Sequence, residues 1–213
     1  MSKRVLVLSP HPDDDAIGCG GALCQHLVSG DQVKLVVLTS GEAGGHGRQD
    51  RLQTQRLREA EALAACAIIG ITDTEFWREP DGALQVTDEL LSRLVATIET
   101  WMPDYIYAPH AAEMHVDHQA AAELLKSALK SLPEGAPTCV IRLYEVWTPM
   151  QQIDEVVDIS EFVPRKLAAI RQHKTQINVM RLDEAAIALN RYRGEMHSWP
   201  GGDYAEVFQR LRS

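Results

Sequence analysis

Basic clusters, long apolar runs and closely spaced cysteines are all missing from this chain of 213 residues. Lysine and arginine number 21 against 30 aspartates and glutamates, and no basic run offsets the net charge of −9. Nucleic acid and anionic membrane are therefore excluded as expected partners, because both would be repelled by such a surface. The apolar run beginning at Val5 breaks at Pro10-His11-Pro12, short of the ~20 residues of a membrane span and of a signal sequence. A cytoplasmic protein is expected. Cys19, Cys24, Cys66 and Cys139 show no C-x-x-C spacing and sit in apolar contexts, which reads as buried reduced thiols rather than zinc ligands or disulfides. Internal repeats, low-complexity tracts and linkers are also lacking. What the chain does have is 45% hydrophobic residues, enough at this length for one full core, so a single domain over 1–213 is expected.

Short β-branched runs alternate with segments of helical period, the pattern of βαβ units around a parallel sheet. Strands are expected at Arg4–Ser9, Gln32–Thr39, Thr74–Trp77, Asp104–Ala108 and Thr138–Val146, and helices at Ala16–Ser29, Leu52–Ile69, Glu89–Trp101 and His118–Ser131. Three further helices, Glu161–Thr175, Asp183–Arg193 and Asp203–Leu211, are expected to form a helical C-terminal portion over the sheet or beside its crevice. Gly41–Gly47, with four glycines, is the candidate mobile loop.

His11-Pro12-Asp13-Asp14-Asp15 follows the first strand directly, and His115-Val116-Asp117-His118 follows Tyr105-Ile106-Tyr107-Ala108. Three adjacent carboxylates at the end of a buried strand repel one another unless a cation balances them. One aspartate there would suit a helix N-terminus; three after a histidine call for a divalent metal. Right-handed crossovers bring both clusters to one edge of the sheet. A catalytic zinc takes three protein ligands and keeps an open position, a set that His11, Asp14 and His118 supply. Asp13 is left as general base toward a water beside the metal. His115, one helical turn from His118, is expected to stabilise the oxyanion and protonate the leaving group, with Asp117 fixing a histidine tautomer and capping the following helix. Gly18-Cys19-Gly20-Gly21 is a poor dinucleotide loop, because Asp13–Asp15 occupy the turn where phosphates would sit. Close packing of the first helix explains those glycines better.

In these motifs the chain resembles the zinc-dependent N-deacetylases of the PIG-L/LmbE family, whose signatures are H-P-D-D-E and H-x-D-H. Thr39-Ser40-Gly41-Glu42, Arg58-x-x-Glu61 with Ile69-Gly70, Pro80-Asp81-Gly82, His173-Lys174-Thr175-Gln176, and Arg193-Gly194 with Tyr204-Ala205-Glu206-Val207-Phe208 are similar to further family elements in the same order. Asp15 stands where the family has Glu, and Val116 where Pro is commoner. The resemblance implies a Rossmann-like α/β fold, a mostly parallel sheet flanked by helices. It implies the same roles for His11, Asp14, His118, Asp13 and His115, and it nominates Arg58 and Asp81 for substrate contact.

The expected activity is hydrolysis of an N-acetyl amide on an amino sugar or glycoside, with Zn2+ as cofactor and Fe2+ as the alternative. An amidase acting on a thiol conjugate or another N-acyl small molecule would use the same groups, since they are blind to what lies beyond the amide. A catalytically silent metal-binding module is the rival of another class, and it would need neither Asp13 nor His115. Specificity is expected from the rim, where the glycine loop, Trp77, Trp147 and Trp199 are candidates. Homo-oligomerisation stays open.

Overall fold

Strand β1 (Arg4–Ser9) runs through the middle of the sheet with Val5 to Ser9 wholly buried. Successive side chains point to opposite faces. Val5 and Val7 join a core with α1 (Asp14–Val28) and α2 (Arg51–Ile69), whereas Leu6 and Leu8 join a second core with α3 (Asp88–Trp101) and α4 (Val116–Ser131). A strand covered by helices on both faces needs an apolar residue at every position, and this explains the unbroken run. The structure, a computed structural model, describes residues 2–45, 50–133, 138–197 and 203–211.

Strands β2 (Gln32–Thr39), β3 (Asp73–Glu79), β4 (Tyr105–Pro109) and β5 (Val140–Tyr144) extend the sheet in parallel, in the order β3-β2-β1-β4-β5. The expected mostly parallel α/β architecture is what the chain adopts. It winds outward from β1 to β3 and then returns to β4 on the other side of β1. That reversal opens a crevice between β1 and β4 at their C-terminal ends, where open α/β sheets take ligands.

The C-terminal third departs in part from expectation. The first two helices there are found as α5 (Val163–Ile170), the short α6 (Lys174–Ile177) and α7 (Leu182–His197). The segment read as a helix over Asp203–Leu211 is instead β7 (Ala205–Arg210), antiparallel both to β5 and to an unanticipated strand β6 (Glu155–Asp158). Ala205 to Phe208 are all buried between these neighbours. The ladder there satisfies backbone groups that a helix would satisfy within itself. The full order is β3-β2-β1-β4-β5-β7-β6.

Strand β7 also anchors α1. Glu206 pairs with Lys166 of α5 at 2.7 Å, both buried, and its carboxylate accepts the Gly21 and Ala22 N–H groups at 2.8 Å. Lys166 in turn donates to the Ile17 carbonyl at 2.7 Å. Gly21 N–H and Ile17 C=O are natural partners in a regular helix, and here each meets a member of the ion pair. Close packing explains Gly18 as well: a Cβ there would lie 2.3 Å from the Tyr144 ring. Cys19, Cys24 and Cys66 are buried and free. Among the described residues no helix is long and apolar enough to cross a membrane.

Candidate metal centre

Both His/Asp clusters reach the crevice because they follow the ends of β1 and β4. The turn after β1 is fixed by Thr39, whose N–H and hydroxyl each donate to the Pro10 carbonyl at 2.9 Å, and by Ser9 Oγ donating to the His11 carbonyl at 2.7 Å. After β4, His115 is the N-cap of α4, its Nδ1 accepting the Asp117 N–H at 3.2 Å, and His118 follows in the first turn. Asp117 is therefore not the cap. Its carboxylate turns inward to accept from the Gly82 N–H at 2.7 Å and the Leu84 N–H at 2.9 Å, and it meets His11 Nε2 at 3.0 Å.

His11 Nδ1, Asp14 Oδ2 and His118 Nε2 form a triangle with sides of 3.0, 3.1 and 3.3 Å. Tetrahedral ligands bonded to zinc at ~2.0–2.2 Å lie roughly 3.3 Å apart, so one small divalent ion fits this spacing. His115 with His11 and His118 forms a further set whose donor atoms lie within 4.8 Å of one another, and so does His11 with Asp81 and Asp117. His11 Nε2 faces Asp81 Oδ1 at 3.1 Å as well as Asp117. Carboxylates on that side favour a proton on Nε2 and leave the Nδ1 lone pair toward the triangle, the usual support for a metal-bound histidine.

The electrostatics carry the same signature. Burial alone would lower the pKa of His11, but hydrogen bonds to Asp117, Asp14 and Asp81 outweigh it and hold the pKa well above its ordinary value. Burial would raise Asp14, yet His118 and His11 hold its carboxyl far below the usual range. Asp15, buried beside Asp13 and Asp14, is pushed up to about 7. The third carboxylate of the cluster thus relieves the crowding partly by keeping its proton, and it exchanges hydrogen bonds with Ser9 rather than facing the ligands.

Asp13 is buried and held by Arg58, whose Nη2 lies 3.1 Å from Oδ2. Arg58 Nη1 donates to the Gly41 carbonyl at 3.1 Å and lies 4.0 Å from Asp81 Oδ2. Gly41 adopts φ +64°, and a Cβ there would come within 2.8 Å of Arg58 Nη1, so only glycine lets the loop close over the guanidinium. Burial, followed by the neighbouring charges of His11 and His118, lowers the pKa of half-buried His115.

These groups line a pocket of about 220 Å³ that contains every nominated residue except Asp117 and His118, which lie behind it. Ala43, Gly44, Trp147, Gln176, Met180 and Leu182 complete it. Trp147 is at the rim as expected. Trp77 is not: it is buried in the core of the α3/α4 face under Arg93. Trp199 and the 46–47 end of the glycine loop lie outside the described residues. Met180 and Leu182 carried no signal in the sequence, whereas Gln176 belongs to the His173-to-Gln176 element already noted. Buried Glu113, also unforeseen, accepts from the N–H groups of Val146, Trp147 and Thr148 at 2.6–3.2 Å and so sets the Trp147 turn.

The chain is also similar to known proteins. The PIG-L family, described as GlcNAc-PI de-N-acetylase, matches residues 6–129. A probable N-acetyl-alpha-D-glucosaminyl L-malate deacetylase 2 from Bacillus subtilis (strain 168) is 26% identical, covering 93% of this chain and 94% of that protein. Among solved structures, the conserved protein TT1542 from Thermus thermophilus has a TM-score of 0.83 and 31% identity over 100% of this chain and 95% of its own. A 4-carboxy-2-hydroxymuconate hydratase from Pseudomonas putida KT2440 has a TM-score of 0.87 at 24% identity, covering 99% and 97%, a likeness of fold alone.

Proposed function

This chain belongs to the PIG-L family, and from that premise we propose that it is a metal-dependent N-deacetylase hydrolysing the acetamide of a small amino sugar or glycoside. The observation that carries the reading is the convergence of His11 Nδ1, Asp14 Oδ2 and His118 Nε2 within 3.0–3.3 Å, in one pocket with Asp13. Those three residues hold a divalent ion, zinc in our reading with iron(II) as the alternative, and the ion supplies Lewis acidity toward the amide carbonyl and acidity to the attacking water.

Asp13 takes the proton of that water, and Arg58, 3.1 Å from its Oδ2, keeps the carboxylate aimed. Because His115 Nδ1 accepts a backbone N–H, the ring proton sits on Nε2, where it donates to the oxyanion that forms as water adds to the carbonyl. The lowered pKa of His115 favours this neutral donor over a cationic acid. Asp13 then passes its proton to the amine nitrogen as the C–N bond breaks, releasing acetate and the free amine. Asp117 and Asp81 hold His11, and Asp81 also faces the pocket where a sugar hydroxyl would lie. The chain's four free cysteines, three of them buried, support a cytoplasmic setting.

The test is release of acetate and amine from N-acetylglucosamine methyl glycoside by zinc-loaded protein. Asp13→Asn is expected to keep the metal and lose roughly a hundredfold or more in turnover, whereas Asp14→Asn empties the site. An Asp13→Asn protein with both metal and full rate would sink the proposed base.

A further inference from the structure

A second cavity, of about 410 Å³, adjoins the metal pocket and shares with it Trp147, Met180 and Leu182. Much of its remaining wall comes from α1 through Ile17 and Gly18, from α7 through Ala185 and Leu189, and from Val207 of β7. Each charged group in that wall has an ion-pair partner: Glu145 is paired with Arg193 at 2.7 Å, Glu206 with Lys166 at 2.7 Å, and the exposed Arg181 with Glu184. Apart from Asn190, whose Nδ2 donates to the Ala205 carbonyl at 3.0 Å, what remains to be offered to a ligand is apolar. At the junction, Trp147 is 38% and Met180 41% exposed, two large apolar side chains with a face toward both cavities.

Size points the same way. Small-molecule sites are typically ~300–1,000 Å³, and the metal pocket alone, at about 220 Å³, falls below that range. The neighbouring cavity lies within it. A substrate whose amide sits at the metal therefore has an apolar continuation available without leaving the protein.

We propose that this cavity is a second subsite, which receives an apolar chain carried by the substrate. Resting on the deacetylase reading above, the inference adds a preference for an alkyl or aryl substituent, entering either as the aglycone or as a longer N-acyl group. Trp147, Met180 and Leu182 form the passage between the reacting amide and the chain.

Two substrate arms distinguish the sources: hexyl N-acetylglucosaminide lengthens the aglycone, and the methyl glycoside of N-hexanoylglucosamine lengthens the acyl group. At least one is expected to exceed methyl N-acetylglucosaminide tenfold or more in kcat/KM. Ala185→Trp, at an exposed position of α7, puts bulk into the cavity and is expected to bring that ratio back toward one. Calorimetric titration with hexyl glucoside, which has no amide to hydrolyse, reads the subsite without catalysis. It is expected to bind at least tenfold more tightly than methyl glucoside, with the negative heat-capacity change of apolar burial, and to lose that advantage in Ala185→Trp. Hexyl glucoside binding without turnover of any N-acetyl compound would overturn the deacetylase reading and leave the subsite standing. Equal kcat/KM for all three substrates together with no advantage of hexyl over methyl glucoside would overturn the subsite and leave the deacetylase standing. A hexyl preference that survives Ala185→Trp would also overturn it.

Discussion

His173 shows how much a single residue near the site is asked to tolerate. It is 2% exposed, and neither ring nitrogen has a hydrogen-bond partner among the described residues. Burial, with the charge of Arg58 adding to it and Asp13 and Asp14 opposing, brings its pKa down to about 4. The ring is therefore neutral in the folded protein from pH 7 down to about 4, whereas in the unfolded chain it takes a proton near the ordinary ~6.5. Between those limits the unfolded state binds more protons, so this residue's share of stability is present above about pH 6.5 and is lost as pH falls toward 4. Its slope cannot exceed about 1.4 kcal/mol per pH unit. Denaturant unfolding of metal-free protein between pH 7 and 4.5 is expected to show a shallower loss in His173→Leu than in the unsubstituted chain, with the difference growing as pH falls. Parallel curves would mean that His173 does not titrate differently in the two states.

At the scale of elements, the Lys166–Glu206 pair ties α1, α5 and β7 into one unit. Removing one partner of a buried pair leaves a charge without compensation and costs about 3–5 kcal/mol, while replacing both with apolar or neutral groups recovers much of the loss. Lys166→Met is thus expected to lower the unfolding midpoint strongly, and Lys166→Met with Glu206→Gln to lie closer to the starting protein. A double variant as unstable as the single one would show that the backbone contacts of Glu206, not its charge, matter most. This lock also explains what could and could not be read from the residues alone. The bounds of β1 and β2 are legible because a doubly covered strand needs an apolar run, Val5 to Leu8 in β1 and Leu35 to Leu38 in β2, a purely local property. Strands β6 and β7 are not, because four to six residues become strands there only by pairing with each other across some fifty positions, and Tyr204-Ala205-Glu206-Val207-Phe208 carries no local signal that separates strand from helix. The candidate site divides in the same way. His11, Asp13 and Asp14 are adjacent, as are His115 and His118, so their chemistry shows in the motifs. The bond from Arg58 to Asp13, the turn of Asp117 toward His11 and the wall formed by Met180 and Leu182 depend on how separate elements dock, and spacing does not reveal them.

At the scale of the whole molecule, the fold by itself leaves the reaction open, since a hydratase shares it at a TM-score of 0.87. What the fold does is place His11 and Asp14 after β1 and His118 after β4, on the two sides of the reversal in strand order. An ion held by these three residues joins the part of the chain that winds from β1 to β3 with the part that begins at β4. The unfolded chain cannot present the three donors together, so the ion binds the folded state preferentially and stabilises it by mass action, about 2.7 kcal/mol at a free concentration one hundred times Kd. For a protein of this size each kcal/mol moves the midpoint by ~2–4 °C, so zinc at that concentration is expected to raise Tm by roughly 5–11 °C. Asp14→Asn is expected to abolish the rise, because it removes one corner of the triangle, whereas Asp13→Asn keeps it. Scanning calorimetry on the three metal-free proteins, with and without added zinc, makes the comparison. An equal rise in Asp14→Asn would place the ion elsewhere, and loss of the rise in Asp13→Asn alone would exchange the roles of the two carboxylates.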